Sequence, residues 1–398
     1  MTRIALLPSA YPPSVGGVEE LTRHLALALV AAGDEVEVWT GLPDDRAAET
    51  VEVRDGLVVR RFPMPLPATS LSAVSHATTT GWRTMRSLRR AVSIFRPDVL
   101  HVQCFGPNGA YATALARLCR VPLVVTLQGE TLMDDADIFE TSQVLRSALR
   151  AGLRTAAAVT ACSQFTLDDA VSRFGLPACG GRVIFNGVAP ADDDAAAGAD
   201  PTTVDLPAPL GAVPYVLALG RVVAKKGFDL LLAGYAAMDP GVRTADLVIG
   251  GTGNALERLE AQAEESGIGD HVHFVGRLSR EQVAAAMAGA AVFVMPSRLE
   301  PFGIVVLEGW RAGTAVLATD HGGPPEFVRD GEDGLLVDPF DTVAMSTALG
   351  RLLSDAAFRR SVAAAGRSRV AEFAWPVIAE SYRSVYRSVT AAGERVAS

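Results

Sequence analysis

The chain has 398 residues, of which 49% are hydrophobic and 20% charged, with a formal net charge of −9. That length exceeds what one hydrophobic core usually serves, so two domains are expected, and the acidic balance argues against a nucleic-acid partner. No apolar run approaches the roughly 20 residues needed to cross a bilayer, and the opening MTRIALLPSAYPP is too weakly basic and too briefly apolar for a secretory signal, so a cytoplasmic location is expected.

Short β-branched runs come first: RIALLP at 3–8, EVEVWT at 35–40, DVLHVQ at 98–103, LVVTLQ at 123–128 and AVTACS at 158–163. Each is separated from the next by a stretch long enough for a helix, the pattern of a parallel sheet flanked by helices. The pattern restarts with YVLALGR at 215–221, DLVIGG at 246–251, VHFVGR at 272–277, VFVMPS at 292–297 and AVLATD at 315–320. Between the halves, residues 191–213 are rich in Ala, Asp and Pro without a sustained apolar period and read as a linker. Apolar and aromatic residues at Val377, Ile378, Tyr382, Val385, Tyr386 and Val389 predict a final helix. The expected domains are therefore 1–190 and 214–375, with 376–398 as a terminal helix. Cys104, Cys119, Cys162 and Cys179 show no CxxC spacing and read as reduced structural thiols. No metal-ligand spacing stands out, so no metal and no cofactor are expected.

Open parallel sheets bind ligands beyond the carboxyl ends of their strands, which directs attention to the loops. Gly16 and Gly17 precede an amphipathic helix, where backbone amides can approach an anion; an ordinary tight turn reads the same way. In GRVVAKKG, Arg221, Lys225 and Lys226 cluster at a strand end, where cations can neutralise a diphosphate, although surface cations flanking a helix are common. GGTGN, containing Gly251, is glycine-rich at the next strand end but matches no phosphate-loop motif. In SRLEPFGIVVLEGWRAG the carboxylates Glu300 and Glu308 bracket a loop and the first helical turns, suited to accepting hydrogen bonds from hydroxyls. The amides of Phe302, Gly303 and Ile304 fall at the helix start.

These motifs in order, Gly220-Arg221 with Lys226-Gly227, FVGRL at 274–278, Glu300 with Glu308 around PFG, and GGPPE at 322–326, resemble retaining glycosyltransferase family 4. The resemblance covers nearly the whole chain. It implies an α/β GT-B fold, two Rossmann-like domains facing across a cleft with a C-terminal helix crossing back. It further implies that Arg221 and Lys226 hold a donor diphosphate, Glu300 the donor sugar and Glu308 the ribose. Arg277 would then lie at the base-binding edge and Gly16 and Gly17 on the phosphate side. A UDP-sugar such as UDP-N-acetylglucosamine or UDP-glucose is the favoured donor, with a small hydroxyl-bearing acceptor.

The chain departs from that family on the acceptor side. Gln128 and Gln103 stand where histidines are frequent, and glutamine cannot transfer a proton as a base. Beyond them Glu130, Asp134, Asp135, Asp137 and Glu140 crowd one segment, which would favour a cationic acceptor such as an aminocyclitol or amino sugar of antibiotic biosynthesis, unless it is an ordinary solvated loop. Arg83, Arg86, Arg89 and Arg90 form a basic helical face, read first as solvated and second as a membrane contact. The alternatives in other classes are a cell-envelope or thiol-pathway transferase, a non-catalytic nucleotide-sugar sensor and a sugar-nucleotide epimerase.

Overall fold

Strands buried on both faces carry continuous apolar runs, and the chain folds these runs into two parallel sheets covered by helices. The computed structural model describes residues 1–14, 16–42, 48–66, 71–133, 137–189, 204–210 and 214–397, without the side chains of 71–77 and 393–397. Most of the expected 191–213 linker and the residues Asp134 and Asp135 lie outside the described residues. Two units are present: Met1–Gly187 with Trp375–Ser398, and Val188–Ala374.

In the first unit the strands are β1 (Arg3–Pro8), β2 (Glu35–Gly41), β3 (Thr50–Arg54), β4 (Leu57–Phe62), β5 (Val99–Gln103), β6 (Leu123–Leu127), β7 (Ala158–Ala161) and β8 (Gly181–Val183). Their order is β3-β4-β2-β1-β5-β6-β7-β8, parallel except for the β3–β4 pair. That hairpin and β8 were not expected from the apolar runs. The hairpin does carry a local signal: Asp55 and Gly56 both have positive φ, as a tight turn between antiparallel strands requires.

The second unit has β9 (Tyr215–Leu219), β10 (Asp246–Gly250), β11 (Val272–Gly276), β12 (Val292–Met295), β13 (Ala315–Thr319) and β14 (Leu335–Val337), ordered β11-β10-β9-β12-β13-β14 and wholly parallel. In both sheets the winding reverses beside the first strand, between β1 and β5 and between β9 and β12. Such switch points leave a crevice at the carboxyl edge where the flanking loops diverge.

The helix Trp375–Ala397 packs on the first unit. Trp375 stacks on His24 with ring centroids 5.9 Å apart, and Arg383 meets Asp34 at 2.8 Å. Tyr382 and Tyr386 are buried against His101, whose Nδ1 lies 2.7 Å from the Tyr386 hydroxyl. Burial drives the His101 pKa down to about 3, so the ring is neutral and carries one N–H. Tyr386→Phe strands that buried N–H and should lower unfolding free energy by about 1–3 kcal/mol. Urea titration checks this, and an unchanged midpoint would remove the hydrogen bond from the account.

Candidate functional site

In the second unit the residues singled out above all fall at the carboxyl edge of one sheet. Arg221 follows β9, Gly251 follows β10, Arg277 follows β11 and Glu300 follows β12. Arg221 and Arg277 are exposed there. Backbone bonds stitch the first three loops together: Gly220 N–H donates to Gly250 and Gly251 N–H to Gly276, at 3.1 and 2.7 Å. A side chain at Gly251 would overlap the Gly220 carbonyl oxygen, and its φ of 137° suits glycine alone.

The β9 and β12 loops meet across the switch point. Gly227, at φ 69°, ends the 3₁₀ turn Ala224–Lys226, and a Cβ on it would overlap the Pro296 carbonyl oxygen. This approach brings Lys226 Nζ to 2.7 Å from Glu300 Oε2, to which Ser297 Oγ also donates at 3.0 Å. Glu300 is only 8% exposed, so its carboxylate is held in one orientation by a cation and a hydroxyl.

The GGPPE segment fixes the other side of that loop. Glu300 N–H donates to His321 and Gly323 N–H to the Glu300 carbonyl, at 3.0 and 2.8 Å, while Gly322 passes too close to that carbonyl for any side chain. Phe302 is buried and stacks on Phe327 with centroids 4.8 Å apart. Gly303, at φ 91°, opens the helix Ile304–Ala312, placing the Ile304 amide at its start and Glu308 in its second turn. Glu300 and Glu308 thus belong to different local structures, a loop and a helix.

The first unit assembles Gln103 and Gln128 into a directed chain. Asn186 Nδ2 donates to Gln128 Oε1 at 2.9 Å, and Gln128 Nε2 donates to Gln103 Oε1 at 3.1 Å. Gln103 Nε2 reaches His101 Nε2 at 3.3 Å, and Thr126 Oγ1 reaches it at 2.7 Å. Neutral His101 accepts at Nε2 and donates from Nδ1 to Tyr386, so every amide in the chain has one consistent orientation. Asn186 was not foreseen from the sequence; it stands 58 residues from Gln128 with no motif around it.

The acidic segment behaves differently from the expected open field. Glu130 is half-buried, with its carboxylate accepting from the Phe105 amide at 2.5 Å and the Gln128 amide at 2.6 Å. Burial pushes its pKa up to about 7, against the opposing pull of those backbone hydrogen bonds. Glu140 is paired with Arg173 and Arg146. Among the described residues of the segment, Glu130 and Glu140 are therefore paired within the chain, and Asp137 and Glu140 are exposed.

At the first loop, Gly16 is extended and Gly17 opens the helix Gly17–Ala31, but the buried Glu19 carboxylate lies 2.6 Å from where a Gly16 Cβ would stand. The chain's own anion therefore borders that helix start. Elsewhere, the ligand atoms of Asp320, His321 and Asp338 lie within 4.8 Å of one another, a grouping no sequence spacing revealed. The arginine face of the helix Leu71–Phe95 is exposed, with Trp82 63% exposed beneath Arg86. No helix among the described residues is long and apolar enough to cross a membrane.

Residues 15–192 match the family model described as Glycosyltransferase Family 4, and residues 209–369 that of Glycosyl transferases group 1. The chain is 30% identical over 323 residues to the alpha-D-kanosaminyltransferase of Streptomyces kanamyceticus, covering 79% of each protein. The chain belongs to glycosyltransferase family 4. Family 4 membership makes it a glycosyltransferase, and its architecture agrees. Sucrose-phosphate synthase of Thermosynechococcus elongatus superposes with a TM-score of 0.75 at 24% identity, over 98% of this chain and all of that one. The Anabaena protein HepE in complex with UDP-glucose gives 0.71 at 18% identity, over 98% of this glycosyltransferase and 100% of HepE.

Glu130 carries a pH signature in this glycosyltransferase. Its folded pKa stands above its unfolded value of about 4.5, so between pH 5 and about 7 the folded state binds more protons than the unfolded one. Stability from this group is complete below the unfolded pKa and is lost as pH rises through the folded pKa. Urea unfolding from pH 5 to 8 should show that decline in the wild type and a flatter profile in Glu130→Gln. Parallel profiles would contradict the assignment.

Proposed function

We propose that this glycosyltransferase moves a sugar from a nucleotide-diphosphate donor, a UDP-sugar, to a hydroxyl of a small acceptor, with retention at the anomeric carbon and without a metal ion. The observation that carries the reading is the Lys226–Glu300 contact at the β9/β12 switch point, with Arg221 on the same sheet edge. A cation and an oriented carboxylate are what a donor's two reacting parts need: one for the diphosphate and one for the sugar hydroxyls.

In this reading Arg221 and Lys226 stabilise the negative charge that grows on the diphosphate as its bond to the anomeric carbon breaks. Glu300, anchored by Lys226 and Ser297, accepts hydrogen bonds from the donor sugar. Glu308 serves the ribose diol, the loop at Arg277 the base, and the amides at Phe302, Gly303 and Ile304 a sugar or phosphate oxygen. The acceptor oxygen forms its bond to the anomeric carbon on the face the diphosphate leaves, and a departing phosphate oxygen takes the acceptor proton. That assignment suits a first unit offering Gln103 and Gln128, which orient a hydroxyl but cannot act as a base. Gly16 and Gly17 act as backbone donors on the phosphate side, and the Glu130 clamp holds the Gln128 loop in place.

The UDP preference draws support from HepE, whose structure holds UDP-glucose, and the amino-sugar pathway from the kanosaminyltransferase relative. The acceptor is a small hydroxylated molecule. An aminocyclitol is the more specific version, and it rests on that relative.

Glu300→Gln should lower turnover on the order of 10²-fold or more, as loss of a preorganised polar contact does. Steady-state kinetics with the donor found by screening checks this, and near-normal turnover would refute the role. Lys226→Ala should weaken UDP binding by about 1.5–3 kcal/mol, the range for a hydrogen bond to a charged group. An unchanged dissociation constant would reject the phosphate assignment.

A further inference from the structure

The turn that carries Lys226 cannot hold itself in place. It is a short 3₁₀ turn, Ala224–Lys226, with Ala224 exposed and both lysines half-buried, so core packing fixes little of it. Hydrogen bonds from the neighbouring loop set its position, and Arg298 of the β12 loop supplies two of them. The Arg298 amide donates to the Lys225 carbonyl at 3.0 Å, and Arg298 Nη1 donates to the Ala224 carbonyl at 2.7 Å. Backbone and side chain of one residue thus take consecutive carbonyls of the turn. The same β12 loop carries Glu300, which Lys226 Nζ meets at 2.7 Å.

Arg298 is itself fixed by Asp229, which stands in the first turn of the helix Phe228–Ala236 directly after the lysines. Arg298 Nη1 and Nη2 donate to the two carboxylate oxygens at 2.7 and 2.6 Å, a planar two-pronged pair with side chains 30% and 20% exposed. Against the upward push of burial, the Arg298 guanidinium holds the Asp229 carboxyl below the usual carboxylate range, so both partners are charged at neutral pH. Arg298 Cζ also lies 5.8 Å from the centre of the Phe340 ring, a further support for the plane of the guanidinium.

The pairing also says what Arg298 does not do. Both Nη1 hydrogens and one on Nη2 are committed to Ala224 and Asp229, and the carboxylate balances the charge. A diphosphate is held by donors and charge that are still available, so Arg298 is placed to support a phosphate ligand rather than to be one.

We propose that the Asp229–Arg298 pair is a clamp that positions Lys226 for the donor diphosphate, with Arg298 acting through the turn and not touching the donor. The proposal deepens the reading of Lys226 as a diphosphate ligand and rests on it. A pair that only stabilised the fold would affect donor binding to the same extent whether or not Lys226 were present.

The test is a double-mutant cycle read by calorimetric titration of UDP into the full chain. Lys226→Ala sets the scale, with a loss of about tenfold or more. Arg298→Ala should weaken UDP by about tenfold when Lys226 is present and by less than about twofold when it is already alanine, because the clamp then has nothing to position. Arg298→Lys should resemble Arg298→Ala, since an ammonium is a point charge and cannot reproduce the planar fork. Asp229→Asn, which keeps the shape of the side chain, should also weaken UDP, and it supplies the same cycle if Arg298→Ala does not fold. Equal losses in the two Lys226 backgrounds overturn the clamp, as does wild-type affinity in Arg298→Ala or Asp229→Asn. Tighter UDP binding by Asp229→Asn overturns it too, because that result marks a screened cation facing the phosphate. Failure of the underlying reading looks different: the wild type binds no UDP, or Lys226→Ala binds it as the wild type does, and the clamp falls with it.

Discussion

Along the carboxyl edge of the second sheet, backbone passes backbone at separations that no side chain tolerates. Gly251 lies against Gly220, Gly227 against Pro296 and Gly322 against Glu300, and at each position a Cβ would overlap a carbonyl oxygen. All three also have positive φ, so replacement is opposed by both conformation and space. These approaches tie the loops of neighbouring strands into one layer. The Lys226–Glu300 contact follows from the second of them, since the loop carrying Lys226 can reach the β12 loop only where Gly227 lets the chains touch. Preorganisation of a charged pair at a switch point thus comes from glycine backbone rather than from long-range charge.

The first unit reaches order by a different route. Its equivalent edge holds neutral groups in a fixed polarity, starting from a histidine that burial keeps uncharged. The amides of Asn186, Gln128 and Gln103 donate one to the next, and the last donates to His101 Nε2, which places the ring's one N–H at Nδ1, facing Tyr386. Tyr386 of the terminal helix closes that chain at one end, which couples seating of the last helix to the geometry of the amides. Glu130 adds a second constraint by accepting from backbone amides at the ends of both β5 and β6 loops. An edge built of amides and hydroxyls suits recognition of hydroxylated molecules, and an edge built of cations suits phosphates.

Much of the fold was legible because buried parallel strands must be continuously apolar, and ten such runs are plain in the sequence. The strands that escaped have physical reasons. β8 and β14 are three residues long, and β3 and β4 form an antiparallel hairpin whose Asp55-Gly56 turn was the available signal. Of the site, the motif residues were legible through the family resemblance, while their contacts were not: Lys226 and Glu300 are 74 residues apart. Glu130 was read as part of an open acidic field, because nothing in a sequence shows that the amides of Phe105 and Gln128 converge on it.

The central claim is that the second unit holds a nucleoside diphosphate through Lys226, Arg221 and backbone amides alone. Asp320, His321 and Asp338 form the competing possibility, a cation site at the same sheet edge. Calorimetric titration of UDP, GDP and ADP sugars into the full chain, with and without EDTA, separates them. The account predicts one clear donor, a UDP-sugar, with the same affinity in both conditions; binding that vanishes in EDTA, or no binding by any of the three classes, would contradict it.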